Sequence, residues 1–150
     1  MSFPTEADFA AIKIKTAEGP PAVYLLLCGI ESISINRSAN MSERYRRDCA
    51  KPARPGQRKL RATGNSWSIS GSGVQNIELE ATYAGALGVL KDYQIELYRD
   101  NDTDAGELLG TYAGTAMLTT QNQTSDQNAE GSSQEITLEG QDELAWTPAA

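Results

Sequence analysis

Thr63-Gly64-Asn65-Ser66-Trp67-Ser68-Ile69-Ser70-Gly71-Ser72-Gly73 sets two large apolar residues two positions apart, each flanked by serines. Successive side chains of a strand point to opposite faces, so this stretch predicts one face carrying Trp67 and Ile69 and one of small hydroxyls. The first face needs a core; the second tolerates water. Gly71 and Gly73 are expected to break the strand. Asn76-Ile77-Glu78-Leu79 then offers a cap and an acidic first turn.

The same face chemistry recurs upstream, where Ile33 and Ile35 alternate with Ser32, Ser34 and Asn36. Before it, Val23-Tyr24-Leu25-Leu26-Leu27-Cys28 is apolar on both faces and predicts a central strand covered from both sides. Ala11-Ile12-Lys13-Ile14-Lys15 alternates apolar with basic, which reads as a short strand with one wet face. Residues 1–10 precede it as an arm without a core of its own.

Downstream of the glycines, residues 76–90 fit either period. Leu79, Tyr83, Ala86, Leu87 and Leu90 share a helical face, alanine is abundant, and Gly88 suits the C-terminal end, so the segment is read as a helix covering the sheet. Tyr93-Gln94-Ile95-Glu96-Leu97-Tyr98 is a strand with Tyr93, Ile95 and Leu97 inward. Residues 100–107 begin like a calcium loop, but Ala105 replaces the required glycine and Thr111 the bidentate glutamate, so a plain hairpin turn is expected. Strands over residues 112–119 and 133–139 follow, separated by a polar loop over residues 120–131. The second turns Ile136 and Leu138 inward and Glu135, Thr137 and Glu139 outward, and Trp146 anchors the tail. The expected core is Trp67, Ile69, Leu79, Tyr83, Ile95, Leu97, Ile136 and Leu138.

These elements fill one domain, 1–150, of mainly β class: a β-sandwich or open β-barrel of about seven to eight strands with one flanking α-helix. No run reaches the ~18 apolar residues of a membrane span. The start, Met1-Ser2-Phe3-Pro4-Thr5-Glu6, has neither a basic nor an apolar segment, so a cleaved secretion signal is not expected and cytoplasmic synthesis is. Cys28 and Cys49 match no zinc spacing and read as free thiols, Cys28 buried and Cys49 in a loop. The chain has no histidine, which removes Ser-His-Asp and Cys-His relays and all imidazole metal ligands. With no Walker cradle, nucleophile elbow or positioned carboxylate pair, no enzyme, catalytic residue, cofactor or metal site is expected.

Charge is unevenly distributed beneath the net −7. Residues 37–61 hold nine cations and two carboxylates, whereas residues 62–150 hold two cations and fourteen carboxylates. In residues 37–62 the periodicity disappears, and Pro52, Pro55 and Gly56 mark an irregular basic loop. A loop of this length in a compact domain is uncommon unless it orders on a partner. Arg44, Arg46, Arg47, Lys51, Arg54, Arg58, Lys59 and Arg61 suit nucleic acid, but Tyr45 alone is available for base stacking. The alternative is contact between copies, the basic loop of one meeting the acidic body of the next, and head-to-tail contact of that kind gives rings or filaments.

The Cys-Gly pair before a serine-rich strand, the long charged loop, then Ser66-Trp67-Ser68-Ile69-Ser70-Gly71-Ser72-Gly73 and a helix resemble the major tail tube proteins of long-tailed bacteriophages. The resemblance covers residues 25–146. It implies a structural virion protein, assembled in the host cytoplasm and resident in the tail, forming stacked hexameric rings in which each subunit gives four strands to an inner barrel. Its implied partners are further copies of itself, a tape measure protein, tail-end proteins and, in passage, double-stranded DNA. A secretion-system (Hcp-like) ring protein and a gene transfer particle share the implied fold. Twenty-four strands about 4.8 Å apart and tilted ~45° enclose a lumen of about 40 Å after side chains, wide enough for a duplex. Such a lumen must not grip phosphates. The candidates to line it are Glu135, Glu139, Ser66, Ser68 and Ser70, and the six arginines are the candidates for contact between rings.

Overall fold

The computed structural model describes residues 3–127 and 131–150. Met1 and Ser2 of the expected arm, and residues 128–130 of the expected polar loop, lie outside the described residues. Seven strands form a single antiparallel sheet: β1 (Phe9–Ala17), β2 (Val23–Leu26), β3 (Ile30–Arg46), β4 (Gln57–Val74), β5 (Leu90–Arg99), β6 (Glu107–Thr124) and β7 (Ser133–Pro148). Their order is β2-β1-β5-β6-β7-β4-β3, so the sheet is open, with β2 and β3 at its edges. The chain divides into two compact units, a body of residues up to Asn36 and from Trp67 onward, and a second unit, Arg37–Ser66.

The opening stretch is a strand of the body with the expected faces. Trp67 and Ile69 are buried, whereas Ser68 and Ser70 lie toward the other face, half-buried and exposed. Trp67 donates from Nε1 to the Asp142 carbonyl at 3.0 Å. Its ring lies over Gly140 and Gly114, where any Cβ would collide with it. All eight residues of the expected core lie in it, seven buried and Leu97 packed partly buried against them. Ile12 and Ile14 of β1 join it, as do Tyr93, Leu118 and Leu144.

The helix forms, but it is shorter than its apolar spacing suggested. The Asn76 side chain accepts from the Glu78 N–H at 3.1 Å and caps a 3-10 turn, Ile77–Leu79, which leads into α1 (Glu80–Ala86). Leu79, Tyr83 and Ala86 are buried. Leu87 and Leu90 leave the helical face because Gly88, at φ +74°, turns the chain, and Leu90 begins β5. They remain about half exposed.

Several expectations are corrected. Gly71 and Gly73 do not break β4. They lie within it because the chain passes close by, and a Cβ on Gly73 would strike the Gly29 carbonyl. The apolar run at residues 23–28 is not a central strand. The turn at Gly19-Pro20-Pro21 folds it back on the free edge of β1, leaving β2 an edge strand with Val23, Leu25 and Leu26 exposed. Cys28 is exposed rather than buried, since it lies past the end of β2 beside Gly29, where the chain turns into β3. The strands expected over residues 112–119 and 133–139 run on to 107–124 and 133–148.

Residues 37–62 are not an irregular loop. β3 extends to Arg46 and β4 starts at Gln57, so only residues 47–56 lack strand structure. No side chain of Arg37–Ser66 is buried. A strand with no buried face has no apolar alternation, which is why the sequence concealed it. Residues 100–106 form the hairpin turn between β5 and β6, closed by Asp100 and Asn101 side chains that accept from the N–H groups of Asp102 and Thr103.

Candidate functional site

Directly opposed residues of an antiparallel pair share a face. Ser68 stands opposite Glu139, Ser70 opposite Thr137 and Ser72 opposite Glu135, while Glu135 also faces Asn122 of β6. Four of the expected channel residues, Glu135, Glu139, Ser68 and Ser70, are thus brought together in the body on one polar sheet face. Ser66 belongs to the other unit, where its hydroxyl lies 2.9 Å from that of Ser38.

The polar face continues across β5 and β1, where sequence reasoning overlooked two lysines as part of the site. Lys13 Nζ lies 2.8 Å from Glu96, and Lys15 Nζ lies 3.3 Å from Asp92 and 3.1 Å from Glu18. The Thr115 hydroxyl donates to Asp92 at 2.6 Å, and Tyr98 donates to Glu96. The Thr115 hydrogen bond holds the Asp92 carboxyl below its ordinary range, with Lys15 adding to the effect against burial. Burial pushes Glu96 up, but Lys13 and Tyr98 outweigh it and its pKa falls. The hydrogen bond to Glu96 raises the Tyr98 hydroxyl to about 12. The signal for these pairs was present as the alternation of Lys13 and Lys15 with Ile12 and Ile14, matched by Asp92 and Glu96 on the wet side of the next strand. Within the body, this face carries no cation without a carboxylate partner among the described residues.

The hairpin unit differs. A groove on it is lined by Ser42, Glu43, Arg44, Arg46, Lys59, Leu60 and Arg61. Arg58 pairs with Glu43 at 3.4 Å. Of the six arginines expected to mediate contact, it alone has an ion pair among the described residues; Arg44, Arg46, Arg47, Arg54 and Arg61 have none. Between the cations stand Met41, Tyr45 and Leu60, exposed at 59%, 66% and 54%. Neither unit offers a cluster of side chains able to hold a metal ion among the described residues.

No protein-family model and no curated protein matches the sequence. Solved structures do match the fold. A chain of the anti-feeding prophage (AFP) baseplate aligns with TM-score 0.67 and 14% identity over 99% of this chain and 98% of its own. The fold is tail-tube-like. A chain in the tail of an empty gene transfer agent (GTA) particle of C6 symmetry aligns with TM-score 0.64 and 19% identity, covering 91% of this chain and 94% of that one. The SPP1 tail tube gives TM-score 0.64 and 13% identity over 97% and 80%. The expected architecture, mainly β with one helix, is therefore present as a seven-stranded tail-tube-like sheet.

Proposed function

We propose that this chain is the subunit of a virion tail tube, in which copies close into hexameric rings, the rings stack, and the polar sheet face becomes the wall of a channel for double-stranded DNA. The observation that supports this reading best is the register of Ser68 with Glu139 and Ser72 with Glu135, on a face whose lysines are already neutralised. A duplex sliding past such a wall meets hydroxyls and carboxylates rather than free cations, so it gains no salt-dependent grip. Glu135, Glu139, Ser66, Ser68 and Ser70 line the channel in this reading, and the chain has no catalytic role. Residues 1–150 act as one subunit carrying the basic hairpin and an N-terminal arm; of the expected arm, residues 1–10, Phe9 and Ala10 instead begin β1.

Between copies, the hairpin supplies the contact. It holds nine cations and two carboxylates, and the remainder of the sequence holds four cations and eighteen carboxylates, so a hairpin is attracted to any neighbouring body. Arg44, Arg46, Arg47, Arg54, Arg58 and Arg61 join stacked rings. The exposed apolar edge β2 pairs laterally with a second copy, since an open edge of this composition is a template for another strand. A tape measure protein and tail-end proteins bound the tube, which assembles in the host cytoplasm and resides in the virion.

Electron microscopy of the purified chain at high concentration tests the reading: tubes are expected, and monomers at every salt and protein concentration overturn it. Arg44, Arg46, Arg47, Arg54 and Arg61, with no ion pair among the described residues, favour one second reading, a nucleic-acid-binding module. A gel shift with duplex DNA at physiological salt separates the two, because the tube reading expects no shift.

A further inference from the structure

The body carries carboxylates at two opposite ends, and β6 runs from one to the other. Its first residue, Glu107, follows the turn that holds Asp100, Asp102 and Asp104. Its last, Thr124, stands opposite Ser133, which in turn stands opposite Val74 of β4. Trp67, where the chain re-enters the body from the hairpin, lies between the two ends with its ring over Gly114. At ~3.3 Å per residue the run from Trp67 to Val74 spans roughly 23 Å, so Val74 marks the end remote from the hairpin's tether.

At the turn, Asp100 accepts from the Asp102 N–H, Asp8 accepts from the Asp100 N–H at 2.8 Å, and Glu107 lies 3.9 Å from Arg99. At the Val74 end, Glu31 and Glu78 are exposed, and neither side chain has a hydrogen bond or ion pair among the described residues. Beside them Val74 and Ile77 are exposed at 52% and 68%. The backbone holds this patch together: the Val74 N–H donates to the Gly29 carbonyl at 2.8 Å, and the Asn76 amide donates to the Cys28 carbonyl at 3.1 Å. Residues 67–90 and 107–150 contain no lysine or arginine, so nothing in those stretches neutralises it.

The hairpin groove has the complementary chemistry, with Arg44, Arg46, Lys59 and Arg61 around the exposed Leu60. Groove and patch would set cation against carboxylate and apolar side chain against apolar side chain. Contact between stacked copies is head-to-tail, so it joins unlike surfaces: what is tethered at one end of a body meets the opposite end of the next. Resting on the tube reading, we propose that the hairpin groove of one copy seats on Glu31, Val74, Ile77 and Glu78 of a copy in the adjoining ring, and not on the acidic β5–β6 turn.

Charge exchange in the full chain tests this contact, with pelleting and electron microscopy as the readout. A wild-type chain that forms no tubes overturns the tube reading and the contact with it. Where the wild type forms tubes, Glu31→Lys with Glu78→Lys is expected to raise the concentration needed for assembly about tenfold. Adding Arg44→Glu with Arg46→Glu to the same chain is expected to bring it back to within about threefold of the wild type. Ile77→Ser, at an exposed side chain and without a change of charge, is expected to raise it about threefold, which keeps the test open if the lysine pair fails to fold. Asp102→Lys with Asp104→Lys, at the turn, is expected to leave it unchanged. Tubes that respond to the turn pair alone, or that ignore both Ile77→Ser and the lysine pair, overturn this contact while the tube reading stands. A lysine pair that the hairpin exchange does not restore does the same.

Discussion

β6 and β7 are antiparallel strands about as long as the two hairpin arms, yet among the described residues they have a buried face and the hairpin arms beyond Asn36 and before Trp67 do not. β6 and β7 drive Ala116, Leu118, Ile136, Leu138 and Leu144 into the core, where all five are buried. In Arg37–Ser66 none is. The lysines of the body face find Glu96 and Asp92, whereas Arg44, Arg46, Arg47, Arg54 and Arg61 of the hairpin find no carboxylate among the described residues. Burial and neutralisation thus mark what a chain completes alone, and their absence marks where the proposed assembly would supply a partner.

The sharpest test of that contrast is hydrogen exchange on the unassembled chain. A two-stranded hairpin without a packed face is marginal in water, while central strands open only with global unfolding. Amides of residues 37–66 are expected to exchange about a thousandfold faster or more than those of β5, β6 and β7, since a body stable by ~5 kcal/mol suppresses opening at least that far. Equal protection in the two regions would break the comparison.

Next in size is the Trp67 slot. Trp67→Ala removes a buried indole and should cost about 3–5 kcal/mol. Gly140→Ala, which drives a methyl into the same ring, should cost about 1–3 kcal/mol. Leu60→Ala, on an exposed hairpin side chain, should stay within about 0.5 kcal/mol. Urea denaturation of the three variants measures all of these.

Reversing Arg44, Arg46 and Arg47 to glutamate should leave the body's melting temperature unchanged and raise the protein concentration needed for tubes about tenfold or more. That corresponds to ~1.4 kcal/mol or more of lost contact. Sedimentation and negative-stain microscopy read it, and tubes forming at the same concentration would make the hairpin a bystander.

What the sequence disclosed follows the same division. The core was legible because Trp67, Ile69, Ile136 and Leu138 alternate with polar partners, and alternation records burial. The serine and glutamate face was legible as its complement. The hairpin strands were not, since nothing in residues 37–62 is buried on one side. β2 misled for the opposite reason: Val23, Leu25 and Leu26 look like core, yet they lie exposed on an edge strand that the described residues leave uncovered. Composition tells that a surface will be covered; it does not tell whether the cover comes from the same molecule. Register escaped as well, because the pairing of Lys13 with Glu96 joins residues far apart in the chain.

The smallest effect concerns that pair. Glu96 has a folded pKa below its ordinary 4.5, so its contribution to stability is present above that value and is lost as pH falls through the depressed folded value. Tyr98 has the opposite sign. Its folded pKa of about 12 exceeds its ordinary 10.0, so its contribution holds below 10 and is lost as pH rises toward 12. Glu96→Gln should therefore flatten both limbs of the stability profile while costing about 0.2–1 kcal/mol at neutral pH, the range of partly exposed pairs. Arg58→Gln, at the hairpin's own ion pair, should leave the profile unchanged, because a pair in a region that opens freely is not coupled to global unfolding. Thermal melts of the two variants across pH compare them directly, and an acid limb that responds to Arg58 rather than to Glu96 would place the coupled charges in the hairpin instead of on the sheet face.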